Sequence, residues 1–280
     1  MQPLSVDEVA WRATGGIEVM TWPAFDALDV DVVMTTRHGG VSTGAYGSLN
    51  LALHVGDDEA LVIENRRRAA RAIGADLDDL VFCNQTHGRG VLMVTASDRG
   101  RGATSLSTAL DGMDALVTAE AGPVLAMMVA DCVPIALYSP QAHVAGAVHS
   151  GWRGTVLRVA EAAVQAMVEL GAPAPDIIAA IGPAIEADRY QVGPEVREAV
   201  FECFAGQIDG LLRPDGDGGA RRYLFDLWEA NRRILVEAGV RPDRILAAQV
   251  PSGGDGPFFS DRAARPCGRN SILVRLSPRP

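Results

Sequence analysis

The stretch at residues 131–154, DCVPIALYSPQAHVAGAVHSGWRG, contains two apolar runs separated by a short polar segment. The runs cover residues 133–138 and 143–148, and their length and composition are typical of β-strands. The segment between them reads SPQA, and a proline followed by a polar residue suits a type I turn. The sequence therefore predicts an antiparallel hairpin with a four-residue loop.

The register of this hairpin brings a thiol and an imidazole together. If Tyr138 faces His143, the same register sets Cys132 opposite His149 at the open end. Cβ atoms of opposed residues lie about 4.5–5.5 Å apart. Tetrahedral zinc, with bonds of about 2.3 Å to sulfur and about 2.0 Å to nitrogen, fits between such residues. The pair is predicted to share a metal ion or to form a thiolate–imidazole dyad.

Side chains alternate between the two faces of a hairpin, so its faces differ in composition. The larger apolar side chains share one face: Val133, Ile135, Leu137, Val144 and Val148. The face that carries Cys132 has small residues: Ala136, Ala145 and Ala147. The first face is predicted to enter a core, and the second leaves room for a ligand.

A metal site needs another protein ligand, and the chain has five histidines. His87, in NQTHG, follows a predicted strand at a turn marked by glycine, so it is a candidate third ligand. His143 lies at the closed end of the hairpin, far from Cys132. The alternative for each histidine is a surface or hydrogen-bonded core role. The alternative for Cys132 is that of a small buried apolar residue.

Several polar residues near glycine turns are candidates for binding substrate or phosphate. Arg153, in SGWRGTV before a predicted helix, suits an anion, although an N-cap at Thr155 explains the segment equally well. Arg37, in TTRHGG, is a second anion candidate, and NLALHVGDD offers Asn50 and His54. Turn formation is the alternative role for each of these three.

Two further candidates lie beside the metal-binding motifs. Asp131 directly precedes Cys132 and is a candidate for moving a proton during catalysis. Gln85 lies two residues before His87 and is a candidate substrate contact.

The bulk composition restricts the class of protein. The 280 residues carry a net charge of −10, which makes nucleic acid and anionic membranes poor candidate partners and favours a small-molecule substrate. Every basic residue counted as Lys or Arg is arginine, so a Schiff-base lysine is excluded. The longest apolar run is interrupted by Asp131 and Pro134, and the first residues do not resemble a signal peptide. The four dispersed cysteines then indicate free thiols and a cytoplasmic protein.

The order of predicted elements indicates the fold class. Helices are predicted at residues 57–74, 155–171, 193–204 and 226–239. Strands outnumber them, and four strands follow one another without a helix between residues 114 and 149. This order predicts an α+β fold with mixed or antiparallel sheets. No linker divides the chain, so residues 1–280 are predicted to form one domain.

The motifs also resemble those of a known family. The segments TTRHGGVSTGAYGSLNLALHVGDD, NQTHG, DALVT, ADCVPIALYS, AVHSGWRGT, IGPAIEADRYQVGPEV and FFSDR…GRNSILVRL follow one another over nearly the whole chain. In this order they resemble the laccase-domain family, also called polyphenol-oxidase-like proteins. Its members include multifunctional purine nucleoside phosphorylases and the bacterial peptidoglycan editing factor.

The resemblance implies a fold, a metal and an activity. It implies a layered α/β/β/α sandwich with mixed β-sheets, and a zinc ion held by His87, Cys132 and His149. It implies phosphorolysis of adenosine, inosine and methylthioadenosine, with adenosine deamination as a side activity. The chain departs from the family in lacking a Cys-Thr pair before FFS, and in having Cys267 where threonine is common. Both departures put the details of substrate binding in question.

Other functions are compatible with the same residues. A peptidoglycan editing amidase, acting on a mis-incorporated nucleotide-linked muropeptide, also needs an open zinc site and an anion pocket. A copper polyphenol oxidase is disfavoured, because multicopper sites need more histidines than five scattered ones. A metal-free hydrolase that uses Cys132 and His149 is compatible with the hairpin, and so is a binding module without enzymatic activity. The sequence does not indicate the oligomeric state.

Overall fold

The computed structural model describes residues 9–216 and 222–279. The strands in these residues are β1 (Ala10–Thr14), β2 (Ile17–Thr21), β3 (Val30–Thr35), β4 (Leu80–Asn84), β5 (Val91–Met93), β6 (Leu110–Asp111), β7 (Ala115–Thr118), β8 (Val124–Val129), β9 (Val133–Ser139), β10 (Val144–Ser150), β11 (Ile178–Ile181), β12 (Gln191–Val192), β13 (Leu212–Pro214), β14 (Tyr223–Phe225), β15 (Ile245–Ala247) and β16 (Asn270–Leu276). The α-helices are α1 (Glu59–Ala72), α2 (Trp152–Val156), α3 (Val159–Glu169), α4 (Pro194–Cys203) and α5 (Leu227–Glu237). None of these helices is long and apolar enough to cross a membrane.

Two large mixed sheets form the centre of the fold. One sheet has the strand order β1-β2-β3-β16-β8-β4-β6, and the other has the order β15-β11-β9-β10-β7-β5. Each combines antiparallel pairs with parallel pairs, such as β4 with β8 and β5 with β7. A small antiparallel sheet, β12-β14-β13, lies beside them. The predicted α+β class with mixed sheets is confirmed.

Apolar side chains arrange the sheets and helices in four layers. Residues such as Met34, Leu125 and Leu116 form a buried cluster between the two large sheets. On the outer face of the seven-stranded sheet, α1 packs through its buried alanines. On the outer face of the six-stranded sheet, α3, α4 and α5 contribute to one cluster with the apolar face of β9 and β10. The α/β/β/α sandwich is therefore confirmed, as is the predicted core face of the hairpin.

The hairpin turn lies one residue later than predicted. The backbone N–H of His143 donates to the carbonyl of Ser139 over 2.9 Å, and His143 has a φ of 55°. This left-handed conformation, unusual for a residue other than glycine, lets residues 140–143 form the turn. His143 therefore belongs to the turn, and its predicted pairing with Tyr138 is wrong. Tyr138 pairs with Ala145.

The shift changes the partner of Cys132 but preserves the faces. His149 pairs with Pro134, two residues from its predicted partner, so Cys132 lies diagonal to it. Because side chains alternate with a period of two, a shift of two leaves Cys132 and His149 on the same face. The register continued beyond the strands sets Gly151 opposite Cys132.

Two connections cross from one large sheet to the other near the same end of the fold. The first leads from β4 to β5 and contains His87. The two strands therefore do not pair with each other, although the sequence pattern places them on either side of a turn. The second connection leads from β8 to β9 and contains Cys132.

The helix predicted at residues 155–171 is interrupted. Arg158 separates α2 from α3 and has φ 63° and ψ 44°, the left-handed conformation. Its guanidinium pairs with Glu161 over 2.7 Å and with Glu237, on α5, over 2.8 Å. These pairs are formed at a bend that the apolar spacing of the segment does not reveal.

A buried hydrogen-bond network fixes the end of β10 to α5. Asn231 accepts from the Ser150 hydroxyl over 2.7 Å and donates to the Thr155 hydroxyl over 3.1 Å and to the Leu227 carbonyl over 2.9 Å. Asn231, Ser150 and Thr155 are all fully buried. Because Ser150 follows His149 directly, this network positions the segment that carries the imidazole.

We expect Asn231→Ala to lower the free energy of unfolding by about 2–4 kcal/mol, because it removes three buried hydrogen bonds that each contribute about 0.5–1.5 kcal/mol. Denaturant titration monitored by circular dichroism measures the change. The control is Arg232→Ala on the same helix. The ion pair of Arg232 with Glu229 lies at the surface and contributes about 0–1 kcal/mol. Equal stability of the two variants would contradict the network's role.

Candidate metal centre and substrate cleft

His87, Cys132 and His149 converge at the end of the hairpin. One ligating atom from each residue lies within 4.8 Å of the others. The Cys132 Sγ lies 3.9 Å from the His87 Nε2, and the two imidazole rings meet edge to face with centroids 4.7 Å apart. In the described part of the chain, this is the one group of three or more such residues with metal-binding spacing. The structure thus brings together the three residues predicted as ligands.

Backbone conformation turns two of the three ligands toward the group. His87 has a φ of 58°, and Asp131, directly before Cys132, has a φ of 85°. Positive φ is uncommon for residues other than glycine, and it persists where the surroundings hold it in place. Here the His87 N–H donates to the Asp114 carboxylate, and the Asp131 carbonyl accepts from the Ile185 N–H over 3.0 Å.

A buried carboxylate, that of Asp114, orients the imidazole of His149. Its Oδ1 accepts from the His149 Nδ1 over 2.8 Å and from the His87 backbone N–H over 3.0 Å. Its Oδ2 accepts from the backbone N–H groups of Gly88 and Thr86 and from the Thr86 hydroxyl. With Nδ1 occupied by the carboxylate, the Nε2 of His149 is the ring nitrogen left for a metal ion.

The charges of this group support one another. Burial opposes ionisation of Asp114, but the hydrogen bond from His149 and those from the Gly88 and Thr86 amides lower its pKa to about 2. Burial also disfavours the Cys132 thiolate, yet the charge and hydrogen bond of His149, and then those of His87, lower the pKa of this thiol to about 6. Without a metal ion, Cys132 is thus a thiolate paired with the His149 imidazolium, and a metal ion would replace the proton between them.

The absence of a side chain at Gly151 leaves space beside the ligands. A Cβ at this position would lie 2.8 Å from the Cys132 Sγ and 3.0 Å from the His87 Cδ2. The Sγ–Nε2 distance of 3.9 Å is close to the roughly 3.5–3.7 Å between sulfur and nitrogen ligands of a tetrahedral zinc ion. One thiolate and two imidazoles, one of them oriented by a carboxylate, therefore fit a metal ion with an open position.

The metal-binding group opens into a cleft with a volume of about 570 Å³. Its lining residues include polar and charged side chains that come from distant parts of the sequence: His54, Gln85, Asp131, Arg153, Tyr190, Asp261, Arg262, Arg265 and Arg269. A cleft of this size accommodates a drug-sized or nucleoside-sized ligand.

The family profile described as multi-copper polyphenol oxidoreductase laccase matches residues 31–277. The chain belongs to this family. The match covers the metal-binding group and the cleft, and it confirms the family resemblance of the sequence motifs.

Relatives of this laccase family are similar to the chain over most of their length. Purine nucleoside phosphorylase YlmD from Geobacillus stearothermophilus is 42% identical over 234 residues, which cover 83% of this chain and 84% of the relative. Adenosine deaminase RL5, from an unknown prokaryotic organism, is 40% identical over 234 residues, with 83% of this chain and 88% of the relative covered. The crystal structure of YlmD from G. stearothermophilus superposes with a TM-score of 0.85 and 35% identity, covering 98% of this chain and 99% of that one.

Within this laccase-family cleft, the predicted residue Asp131 holds a distant loop. One oxygen of its carboxylate accepts from the Ser252 hydroxyl over 2.6 Å, and the other accepts from the Arg262 N–H over 2.7 Å. Asp131 therefore fixes the loop after β15 to the residue that precedes the ligand Cys132. A proton-transfer role for Asp131 stays a prediction.

The other predicted cleft residues differ in how firmly they are held. Gln85 donates to the Met128 carbonyl over 2.8 Å and accepts from the Met128 N–H over 2.9 Å, so its amide is fixed to β8. Arg153 is exposed, with its guanidinium 5.2 Å from the centre of the Trp152 ring. The pKa of His54 is lowered mainly by the partial burial of its imidazole and, to a smaller extent, by the positive charges of Arg269 and Arg66.

Two predicted substrate contacts lie outside the cleft lining, and we assign them structural roles instead. The guanidinium of Arg37 donates to the Gly47 carbonyl over 3.1 Å and lies 4.9 Å from the centre of the Phe259 ring. Asn50 is fully buried, and its side-chain oxygen accepts from the backbone N–H of Arg269 over 2.9 Å. These contacts agree with turn formation, the second role that their glycine-rich surroundings allow.

Several site residues were missed by reasoning from the sequence. Asp114 opens the strand segment DALVT, and an aspartate directly before a short run of apolar residues is a signal of a buried polar role. The cleft arginines Arg262, Arg265 and Arg269 are clustered in FFSDR…GRNSILVRL, a segment that indicates the family without indicating these roles. Cys267, the departure from the usual threonine, is buried with its sulfur 3.1 Å from a guanidinium nitrogen of Arg269.

We expect Gly151→Ala to reduce metal affinity by about 10-fold or more, because the added Cβ overlaps the Cys132 sulfur. Metal content after dialysis against a defined metal buffer measures the effect. The control is Gly216→Ala, where an added Cβ meets no other atom within 4 Å. Full metal occupancy of a folded Gly151→Ala protein would show that the space at Gly151 is unnecessary.

We expect Asp114→Asn to reduce metal affinity by about 10–100-fold, because the amide binds the His149 Nδ1 less well and presents donors toward backbone N–H groups. The same dialysis assay measures the loss, and circular dichroism checks that the variant is folded. Asp243→Asn, in an exposed pair with Arg241, is the matched control. Unchanged affinity in Asp114→Asn would contradict the orienting role.

Proposed function

We propose that the protein is a zinc-dependent purine nucleoside phosphorylase, acting on adenosine, inosine and methylthioadenosine, with adenosine deamination as a side activity. The observation that carries the proposal is the group of His87, Cys132 and His149 at the base of a cleft lined with arginines. The names of the relatives support both reactions, since YlmD is called a purine nucleoside phosphorylase and RL5 an adenosine deaminase.

Zinc suits this donor set better than a multicopper centre does. A thiolate and two imidazoles are ligands that zinc prefers, and three protein ligands leave one position open for catalysis. A multicopper oxidase needs several histidine-rich sites. Of the five histidines, His143 is in the hairpin turn, where its ring contacts Tyr138 and the Ser277 carbonyl. When bound, zinc supplies a Lewis acid at the base of the cleft.

In phosphorolysis, a phosphate oxygen forms a bond to C1′ of the ribose while the C1′–N9 bond breaks. The purine leaves with the bonding electron pair and takes up a proton. The chain contributes positive charge for the phosphate from the arginines that line the cleft. It contributes aromatic surface for the flat purine from Tyr190 and Trp152, which line the same cleft.

Proton transfer to the leaving purine falls to the titratable side chains of the cleft. His54 faces the cleft, and its lowered pKa keeps the imidazole neutral near pH 7, so it accepts or donates a hydrogen bond. Asp131 lines the cleft beside Cys132 and is the other candidate. Burial, and then the charge of Cys132, raise the pKa of Tyr190, which therefore stays a neutral phenol.

Deamination uses the same cleft with water in place of phosphate. Water adds to C6 of adenosine, and ammonia leaves with the electron pair of the C6–N6 bond to give inosine. The reaction needs no anion, so it separates the contribution of the metal-binding group from that of the arginines.

We expect zinc-loaded protein to release adenine from adenosine only when phosphate is present, and we expect Cys132→Ala to lose both zinc and this activity. The loss should be about 100-fold or more, because even partners of metal ligands contribute about 10–100-fold. Chromatography of the products and metal analysis measure the two effects. Cys203→Ala, which removes a partly buried thiol on α4, is the matched control.

Adenine release without added phosphate would contradict phosphorolysis. Stoichiometric zinc without any cleavage of nucleosides would overturn the proposed function and favour the peptidoglycan editing amidase. Oxidation of phenols by the copper-loaded protein, but not by the zinc-loaded protein, would favour the polyphenol oxidase.

A further inference from the structure

The cleft is positively charged although the chain as a whole is acidic. The chain carries a net charge of −10, yet the cleft lining contains four arginines against two aspartates. We refer to these four residues, Arg153, Arg262, Arg265 and Arg269, as the arginine wall. Such a concentration of positive charge in an acidic protein indicates that the cleft receives an anion.

Two members of the arginine wall are held in place by the protein itself. Arg269 donates to the carbonyls of Cys267 and Gly268 and pairs with Asp261 over 3.0 Å, and its side chain is 21% exposed. Arg262 lies 5.1 Å from the centre of the Tyr190 ring and donates to a backbone carbonyl. These guanidinium groups shape the wall, and their hydrogen bonds restrict what else they bind.

The Arg265 side chain is 76% exposed, against 21% for Arg269, and unlike Arg262 it has no aromatic ring beneath its guanidinium among the described residues. Within residues 9–216 and 222–279, its polar contacts are to one residue, since it pairs with the Asp261 carboxylate and donates to the Asp261 carbonyl over 3.1 Å. An ion pair this exposed is weak. Asp261 also keeps a second cation, Arg269, when Arg265 leaves. Arg265 is therefore free to exchange Asp261 for a stronger anion.

We propose that Arg265 leaves Asp261 to bind the phosphate co-substrate, and that Asp261 competes with phosphate for this guanidinium. Phosphate carries more charge than a carboxylate and accepts two parallel hydrogen bonds from a guanidinium. Arg153, exposed on the same cleft, supplies a second cation for the bound phosphate. This inference rests on the proposed function, because it assigns the residue that selects phosphate over water as the attacking group.

The proposal predicts opposite effects of two substitutions. Arg265→Gln should weaken binding of inorganic phosphate by about 10-fold or more, since it removes a charged hydrogen-bond donor. Asp261→Asn should strengthen phosphate binding, because the competing carboxylate is gone. A merely structural role of the pair would give the same direction in both variants.

Calorimetry with zinc-loaded protein and inorganic phosphate measures binding directly, and kinetics give the KM for phosphate in adenosine phosphorolysis. The KM for adenosine in deamination, measured without phosphate, serves as a reference that Arg265→Gln should change far less. The control is Arg241→Gln, which removes an exposed arginine paired with Asp243. Thermal melting checks that each variant is folded.

The outcomes separate this inference from the proposed function. Phosphate affinity that is unchanged in Arg265→Gln, or weakened in Asp261→Asn, overturns the inference. If the wild-type protein binds phosphate more tightly than Arg265→Gln does but cleaves no nucleoside, the anion site is supported and the proposed phosphorylase function is overturned. An equal rise of the phosphate and adenosine KM values in Arg265→Gln also overturns the inference, because it indicates a general disturbance of the cleft.

Discussion

The hydrogen bonds to the Asp114 carboxylate are the interaction on which the site depends. This group is fully buried, so its charge is tolerated only because donors surround both oxygens. The donors come from the turn that carries His87 and from the ring of His149. The Asp114 carboxylate thus fixes the backbone position of His87, and it leaves the Nε2 of His149 available for a metal ion. The geometry of the metal-binding group follows from a residue that does not belong to it.

The hairpin shows what the sequence predicts well and what it does not. Alternation with a period of two is a strong signal, and it correctly assigned side chains to the two faces of the hairpin. Both faces are core, however: Ala136, Ala145 and Ala147 are fully buried between the two sheets, so the prediction that their face leaves room for a ligand is wrong. The register depends on where the turn begins, and a left-handed His143 moves the four-residue turn one residue along the chain without any glycine to mark the shift. The predicted pairing is wrong by two residues. Because side chains alternate with a period of two, each side chain is nevertheless on the predicted face. The predicted register sets His149, and not Gly151, opposite Cys132. It therefore does not reveal that a residue larger than glycine at position 151 would overlap the Cys132 sulfur.

Residues that act through contacts distant in sequence were beyond local patterns. The arginines near residue 265 reach the cleft because Asp131 binds the loop that carries them, more than a hundred residues along the chain. Arg37 and Asn50 looked like ligand-binding residues because glycine turns surround them, but packing directs both toward the backbone of neighbouring loops. Local composition predicts that a loop is special without saying whether it serves a ligand or its own conformation.

The two crossing connections have a consequence for stability. His87 and Cys132 lie on separate segments that each join the seven-stranded sheet to the six-stranded one, and His149 is the penultimate residue of β10 in the latter. An ion bound by all three fastens both sheets at one end of their shared interior. Because the unfolded chain does not preserve this arrangement, such an ion would stabilise the folded state by about 1.4 kcal/mol for each tenfold rise of free metal above the dissociation constant. A metal ion bound there would make the resistance of this fold to heat depend on the concentration of free metal, because the three ligands would cross-link the two sheets.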